Sequence, residues 1–154
     1  MPSLLQQAAR KQGIDLANEA DDQRKLHVYR DTGEAILKQL AKLKRSRFTA
    51  GAIDVFVDDI GAILADLTSM RLHRSAALAT LVGAQGAWDH FSHAHKLLRK
   101  AADWLEQDES VEQDVPARDR RSAAFDLVTS AQERLLLALE HLALHNPGTT
   151  GRIR

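Results

Sequence analysis

The sequence predicts an all-α fold: one bundle of four main amphipathic helices, preceded by a short helix at the amino terminus. Three observations predict it. Apolar residues recur at alternating three- and four-residue steps through four long segments, which is the period of a packed helix face. No segment alternates every second residue as a half-buried strand does. Lines of alanine run down the last two long segments at seven-residue intervals, which suits two helices packed closely against each other.

Taken in order, Ser3 is placed to cap a short helix carrying Leu4, Leu5, Ala8 and Ala9, and Gly13 to end it in a left-handed conformation. This arm is expected to dock on the bundle. A second helix begins near Asp21 and runs to about Arg47 on the seam Leu26, Tyr29, Gly33, Ile36, Leu40 and Leu43. Gly33 on that seam implies close approach of another helix. Thr49 caps a third helix with the seam Ile53, Phe56, Ile60, Ile63, Leu67 and Met70, ending near His73, with Asp54, Asp58, Asp59 and Asp66 on its wet face.

Ser75 caps the longest helix, which reaches about Gln107 on Ala77, Leu81, Ala84, Trp88, Phe91, His95, Leu98, Ala102 and Leu105. Beside this seam run Thr80, Ala87, Ala94 and Ala101, then Gly83, His90, Leu97 and Trp104. Three such lines are too wide for one partner, so this is expected to be the central helix. Its wet side carries Asp89, His93, Lys96, Arg99, Lys100, Asp103 and Glu106. A polar, acidic loop from Asp108 leads to Pro116, in the first turn of a last helix with the seam Phe125, Val128, Gln132, Leu135, Leu139 and Leu142. Ala124, Ala131 and Ala138 repeat the alanine line, so the last two helices are expected to form an antiparallel pair. The domain is expected to span 1–146, leaving 147–154 as a flexible basic tail with Arg152 and Arg154.

The composition narrows the function classes. The 21 basic residues balance 21 acidic ones, so no global field recruits nucleic acid or an anionic membrane. The absence of cysteine excludes disulfides, thiolate nucleophiles and sulfur-ligated metals. No apolar run approaches the roughly 20 residues of a membrane span, and the amino terminus has no signal-peptide core. A cytoplasmic protein with no membrane partner is expected. With no glycine-rich phosphate loop, no nucleophile context and no small-molecule substrate evident, neither a cofactor nor a conventional metabolic activity is expected.

Seven histidines are the obvious chemistry: His27, His73, His90, His93, His95, His141 and His145. None has a carboxylate three residues before it, which excludes the Glu-x-x-His pattern of di-iron bundles. His141 and His145 are one turn apart but have no third ligand, so no metal site is expected. His95, on the apolar seam, is expected to be a hydrogen-bonded core residue. The segment HAHKLL resembles the phosphorylated segment of histidine phosphotransfer domains in the His93-to-Lys96 interval, but Leu97 stands where that family has glycine.

Arg134 and His141 lie two turns apart on one line of the last helix. This Arg-x6-His pair resembles the motif of HEPN-domain ribonucleases, helical bundles that dimerise around RNA, although Leu135 follows the arginine where that family carries a polar residue. The resemblance implies arginine on phosphate and histidine handling a proton. The antiparallel pairing is expected to set Arg134 across from His90. Lys38, Lys42 and Arg45 share one helix face that can follow a phosphate backbone, while the aspartates of the next helix offer internal neutralisation.

Complete helical seams without a convergent catalytic set lead to the expectation of a non-enzymatic interaction module, an adaptor, inhibitor or assembly subunit that binds another protein or itself. Leu97 and Trp104, at the margin of the apolar face, are the expected contact residues. The alternative is a nucleic-acid-binding subunit using Lys38, Lys42 and Arg45, or a HEPN-like ribonuclease using Arg134 and His141.

Overall fold

Ser3 opens α1 (Leu4–Lys11) with a reciprocal cap: its hydroxyl accepts from the Gln6 amide, and the Gln6 side chain accepts from the Ser3 amide. The computed structural model, which describes residues 3–19, 21–46, 48–71, 78–107 and 117–144, ends this helix at Gly13, whose φ of 68° is the left-handed conformation expected there. The Ile14 amide closes the end by donating to Ala9 at 2.9 Å, and Ile14 itself is buried. The expectations for Arg47, His73, Ser75, Ala77, the segment 108–116, His145 and the tail 147–154 lie outside the described residues. So do the side chains of Met70, Thr80 and Leu81.

The four main helices are α2 (Asp22–Lys44), α3 (Ala50–Arg71), α4 (Leu78–Gln107) and α5 (Ala117–Leu144); the described residues contain no strand. Asp21 caps α2 by accepting from the Gln23 amide, and Thr49 caps α3 by accepting from the Ala52 amide at 3.3 Å. Side-chain pairs fix the directions. Tyr29 donates to Asp66 between α2 and α3, the Trp88 indole donates to Thr68 between α3 and α4, and Arg134 meets His90 between α5 and α4. Lys44 donates to Thr129 and Gln132 between α2 and α5. Sequence neighbours are therefore antiparallel, α5 returns beside α2, and α2 and α4 face each other across the diagonal.

The predicted seams of α2 and α3 are buried at every described position from Leu26 to Leu67. Burial on α4 and α5 is centred differently. Ala87, Ala94 and Ala101 on α4 and Ala124, Ala131 and Ala138 on α5 are fully enclosed, while Trp88 and His95 are only half-buried. Small side chains let two helices approach until their alanine lines become the middle of the interface. Gly33 serves the same end on α2: a Cβ there would stand 2.6 Å from a terminal methyl of Leu139.

Phe125 and Asp59 also depart from the predicted faces. Phe125 is 41% exposed, because the buried line of α5 enters through Ala124, one residue before it, and continues through Val128 and Ala131. Its ring meets Phe48 edge-on at 6.1 Å, and the Lys44 ammonium lies 4.5 Å above its centre. Asp59, expected on the wet face of α3, is 3% exposed because α1 docks over it. Its carboxylate accepts from the Leu4 amide at 3.2 Å, so α3 caps the start of α1. Burial pushes the Asp59 carboxyl above its ordinary range, against the lowering effect of hydrogen bonds from Leu4, Leu5 and Ser3. Among the described residues, no helix is long and apolar enough to cross a membrane.

Candidate functional sites on the two flanks of α5

The flank of α5 that faces α4 holds a polar cluster. Arg134 and His141 lie on its margin, and the antiparallel crossing brings His90 of α4 between them, as the pairing expected from sequence requires. Arg134 Nη1 stands 3.5 Å from His90 Nδ1, and the His90 and His141 rings lie 5.2 Å apart, centre to centre, inclined by 32°. Gly86 makes this seating possible: a Cβ on Gly86 would fall 2.2 Å from His141 Nδ1, so the imidazole fills the space of an absent side chain. The sequence signal was a glycine four residues before His90, one turn away on the same side of α4, uninterpretable until the facing residue was known.

Electrostatics in the cluster are one-sided. Burial, then the charges of His141 and Arg134, push the His90 imidazole below its ordinary pKa; His93 adds to this and Asp89 opposes it. The guanidinium and ring N–H groups of the cluster can donate hydrogen bonds to an anion. His145 lies outside the described residues, so the His141 and His145 pair is not placed.

The flank of α5 that faces α2 is built differently. Here an open groove of about 580 Å³ has a floor of Leu37, Leu136 and Leu139 and is lined also by Arg30, Glu34, Lys38 and Glu140. Leu136 is 54% exposed. The signal for it was the run Leu135, Leu136 and Leu137: each residue turns a helix by about 100°, so three in succession cannot share one buried face.

Leu97 and Trp104 are half-buried and packed against the core, with part of each left at the surface. Lys38, Lys42 and Arg45 are all exposed. They form no ion pair with any described residue, so the expected neutralisation by α3 does not occur through contact; Asp59 lies under α1, and Asp66 is held by Tyr29. His95 departs from expectation as well. It is half-buried on the α3 flank of α4, where a Cβ on Gly61 would lie 3.6 Å from its Nε2, and it makes no hydrogen bond with a described residue. Burial and then Arg99 lower its pKa, with Asp58 opposing. Among the described residues no group of three or more metal-ligating side chains gathers. Comparison with protein-family models, with curated proteins and with solved structures found no match for this chain.

Proposed function

We propose that this protein is a helical interaction module that associates with a second copy of itself through the groove between α2 and α5. The observation that carries the reading is Leu136, a large apolar side chain 54% exposed beside an apolar groove floor. The residues lining the groove include two cations, Arg30 and Lys38, and two carboxylates, Glu34 and Glu140. A twofold contact places the same patch on both subunits, and a patch with both charges in equal number can pair with its own copy. The balanced charge of the whole chain adds no net repulsion between copies.

Sedimentation equilibrium tests the reading. The wild type is expected to be dimeric at micromolar concentration, and Leu136→Glu to be a folded monomer. A monomeric wild type at about 100 μM, a weak affinity of roughly −5 kcal/mol, removes the proposal. Trp104→Ala separates the two surfaces: loss of association with folding intact moves the interface to the α4 margin, and unchanged association counts against that margin.

A second reading, nucleic-acid engagement, is favoured by the meeting of Arg134, His90 and His141 and by the exposure of Lys38, Lys42 and Arg45. Binding through the lysines predicts an affinity that falls steeply with salt and that Lys42→Gln with Arg45→Gln weakens. Cleavage predicts that His141→Ala abolishes RNA hydrolysis by purified protein. An inert wild type on varied RNAs ends the ribonuclease version.

A further inference from the structure

Fully buried alanines line α4 and α5 where the two helices pack, yet at the outer edge of that seam four side chains that carry or can accept positive charge come together. Arg134 and His141 come from α5, His90 and His93 from α4, and the one carboxylate acting on the group is Asp89. Arg134 makes no ion pair with a described carboxylate, and its one described polar contact is the 3.5 Å approach to His90 Nδ1. That distance is long for a hydrogen bond, and the partner is itself basic. The cluster therefore offers a guanidinium fork and two imidazoles, all donors when protonated, with acceptors in short supply.

Such a set is unfavourable for a charged His90, whose protonation is opposed by burial and then by the charges of His141 and Arg134. A dianion placed over the seam reverses the balance. Arginine presents two parallel N–H groups that match two oxygens of a tetrahedral anion, and each imidazole can donate to a remaining oxygen. The closely packed alanines beneath leave the polar groups outermost, and Gly86 lets the His141 ring lie against the α4 backbone rather than swing away from His90.

We propose that His90, Arg134 and His141 form a binding site for a phosphate group, supplied by inorganic phosphate or a small phosphate monoester. The site shares its side chains with the RNA reading but does not require cleavage. Binding is linked to protonation: His90 must hold a proton to donate, and His141, Arg134 and His93 disfavour that proton until the anion arrives. Asp89 is the one facing group that favours it. Affinity for an anion of constant charge, such as sulfate, is therefore expected to strengthen as pH falls from about 7.5 toward 6, whereas phosphate gains a proton of its own over that range.

The experiment is an NMR titration of the histidine rings in the full chain, with inorganic phosphate and with sulfate, at constant ionic strength. Sulfate keeps its charge over this range and so separates the protein's proton from the ligand's. The expected result is that both anions move the His90 and His141 signals toward the protonated form and that Arg134→Gln weakens this at least about tenfold, equivalent to 1.4 kcal/mol. Arg134→Lys, which keeps the charge and loses the fork, is expected to fall between, and guards against misfolding of the first variant. Lys11→Gln, an exposed cation in the last turn of α1 and on neither flank of α5, is expected to change nothing.

Uridine monophosphate, added in a parallel arm, identifies the source. Tighter binding than phosphate assigns the site to a monoester, and equal binding to the free ion. Ring signals unmoved by phosphate and sulfate at pH about 6 overturn the proposal, as does loss of the effect in Lys11→Gln. A single-stranded RNA that binds where neither small anion does overturns it too, and leaves the nucleic-acid reading in its place.

Discussion

The two flanks of α5 are built from the same helix and reach opposite results. Toward α4, Ala124, Ala131 and Ala138 meet the alanines of α4, the backbones close together, and polar residues remain only at the outer edge. Toward α2, Leu139 fills the space over Gly33, and Leu136 is left beside an open groove. Side-chain size sets both outcomes. Small residues exclude everything between the helices and push chemistry to the margin, whereas on the α2 flank, away from the close approach at Gly33, larger residues leave surface that another molecule can cover.

The sharpest break of this comparison uses two adjacent leucines. Leu135 is fully buried and Leu136 is 54% exposed. Leu135→Ala removes core contacts and leaves a cavity, so denaturant unfolding is expected to show a loss of about 2–5 kcal/mol. Leu136→Ala, measured at a concentration where the protein is monomeric, is expected to stay within about 0.5 kcal/mol of wild type. Equal losses at the two positions would mean that the groove is part of the core.

Overpacking tests the other flank. Ala131 is fully enclosed, and Ala131→Leu adds three carbons where the helices have closed. Unfolding is expected to become easier by about 1–3 kcal/mol. A neutral result would show that α4 and α5 can separate without loss, contrary to the packing described.

Much of this was legible in the sequence. Every seam position from Leu26 to Leu43 and from Ile53 to Leu67 is buried, because wide apolar stripes tolerate little rotation, and Val28, Thr32 and Asp59 join them outside the predicted seams. The Ser3 cap, the left-handed Gly13, the close approach at Gly33 and the facing of Arg134 and His90 follow from local rules or from counting along antiparallel helices. Phe125 and His95 were placed too far inward for one reason. Periodicity identifies an apolar face but not the rotation of that face, and an alanine line moves the centre of contact toward itself. Asp59 was placed outward because its burial depends on α1, which reaches it from 55 residues away in the chain. Gly86 and the groove at Leu136 likewise depend on which helix lies opposite.

Asp59 gives a pH test of the contact between α1 and the bundle. Its folded pKa is raised by burial, so the folded state holds the proton more tightly than the unfolded chain. Its contribution to stability is then fully present below the unfolded value of 3.8 and is lost as pH rises through the raised folded value. Hydrogen exchange of the α1 amides is expected to accelerate over that rise in the wild type, and Asp59→Asn is expected to flatten the dependence. Asp59→Ala removes the acceptor for the Leu4 amide and is expected to loosen α1 by about 1 kcal/mol at any pH.

The smallest effect on stability, and the most informative about the polar cluster, is expected for Gly86→Ala. Replacing a mid-helix glycine by alanine favours the helix by about 1 kcal/mol. The new Cβ would collide with the His141 ring, which must rotate out of its seat. The two effects oppose each other, so the unfolding free energy is expected to change little. The titration of His90 is expected to change more. Burial, His141 and Arg134 together depress its pKa in the wild type, so the stability it contributes is present above the ordinary value of 6.5 and is lost as pH falls through the depressed one. Moving His141 away removes the nearest imidazole and exposes the ring, and both changes return the His90 pKa toward its ordinary value. NMR detection of an unmoved His90 titration in Gly86→Ala would mean that burial and Arg134 set its charge, and that His141 stands beside the cluster without belonging to it.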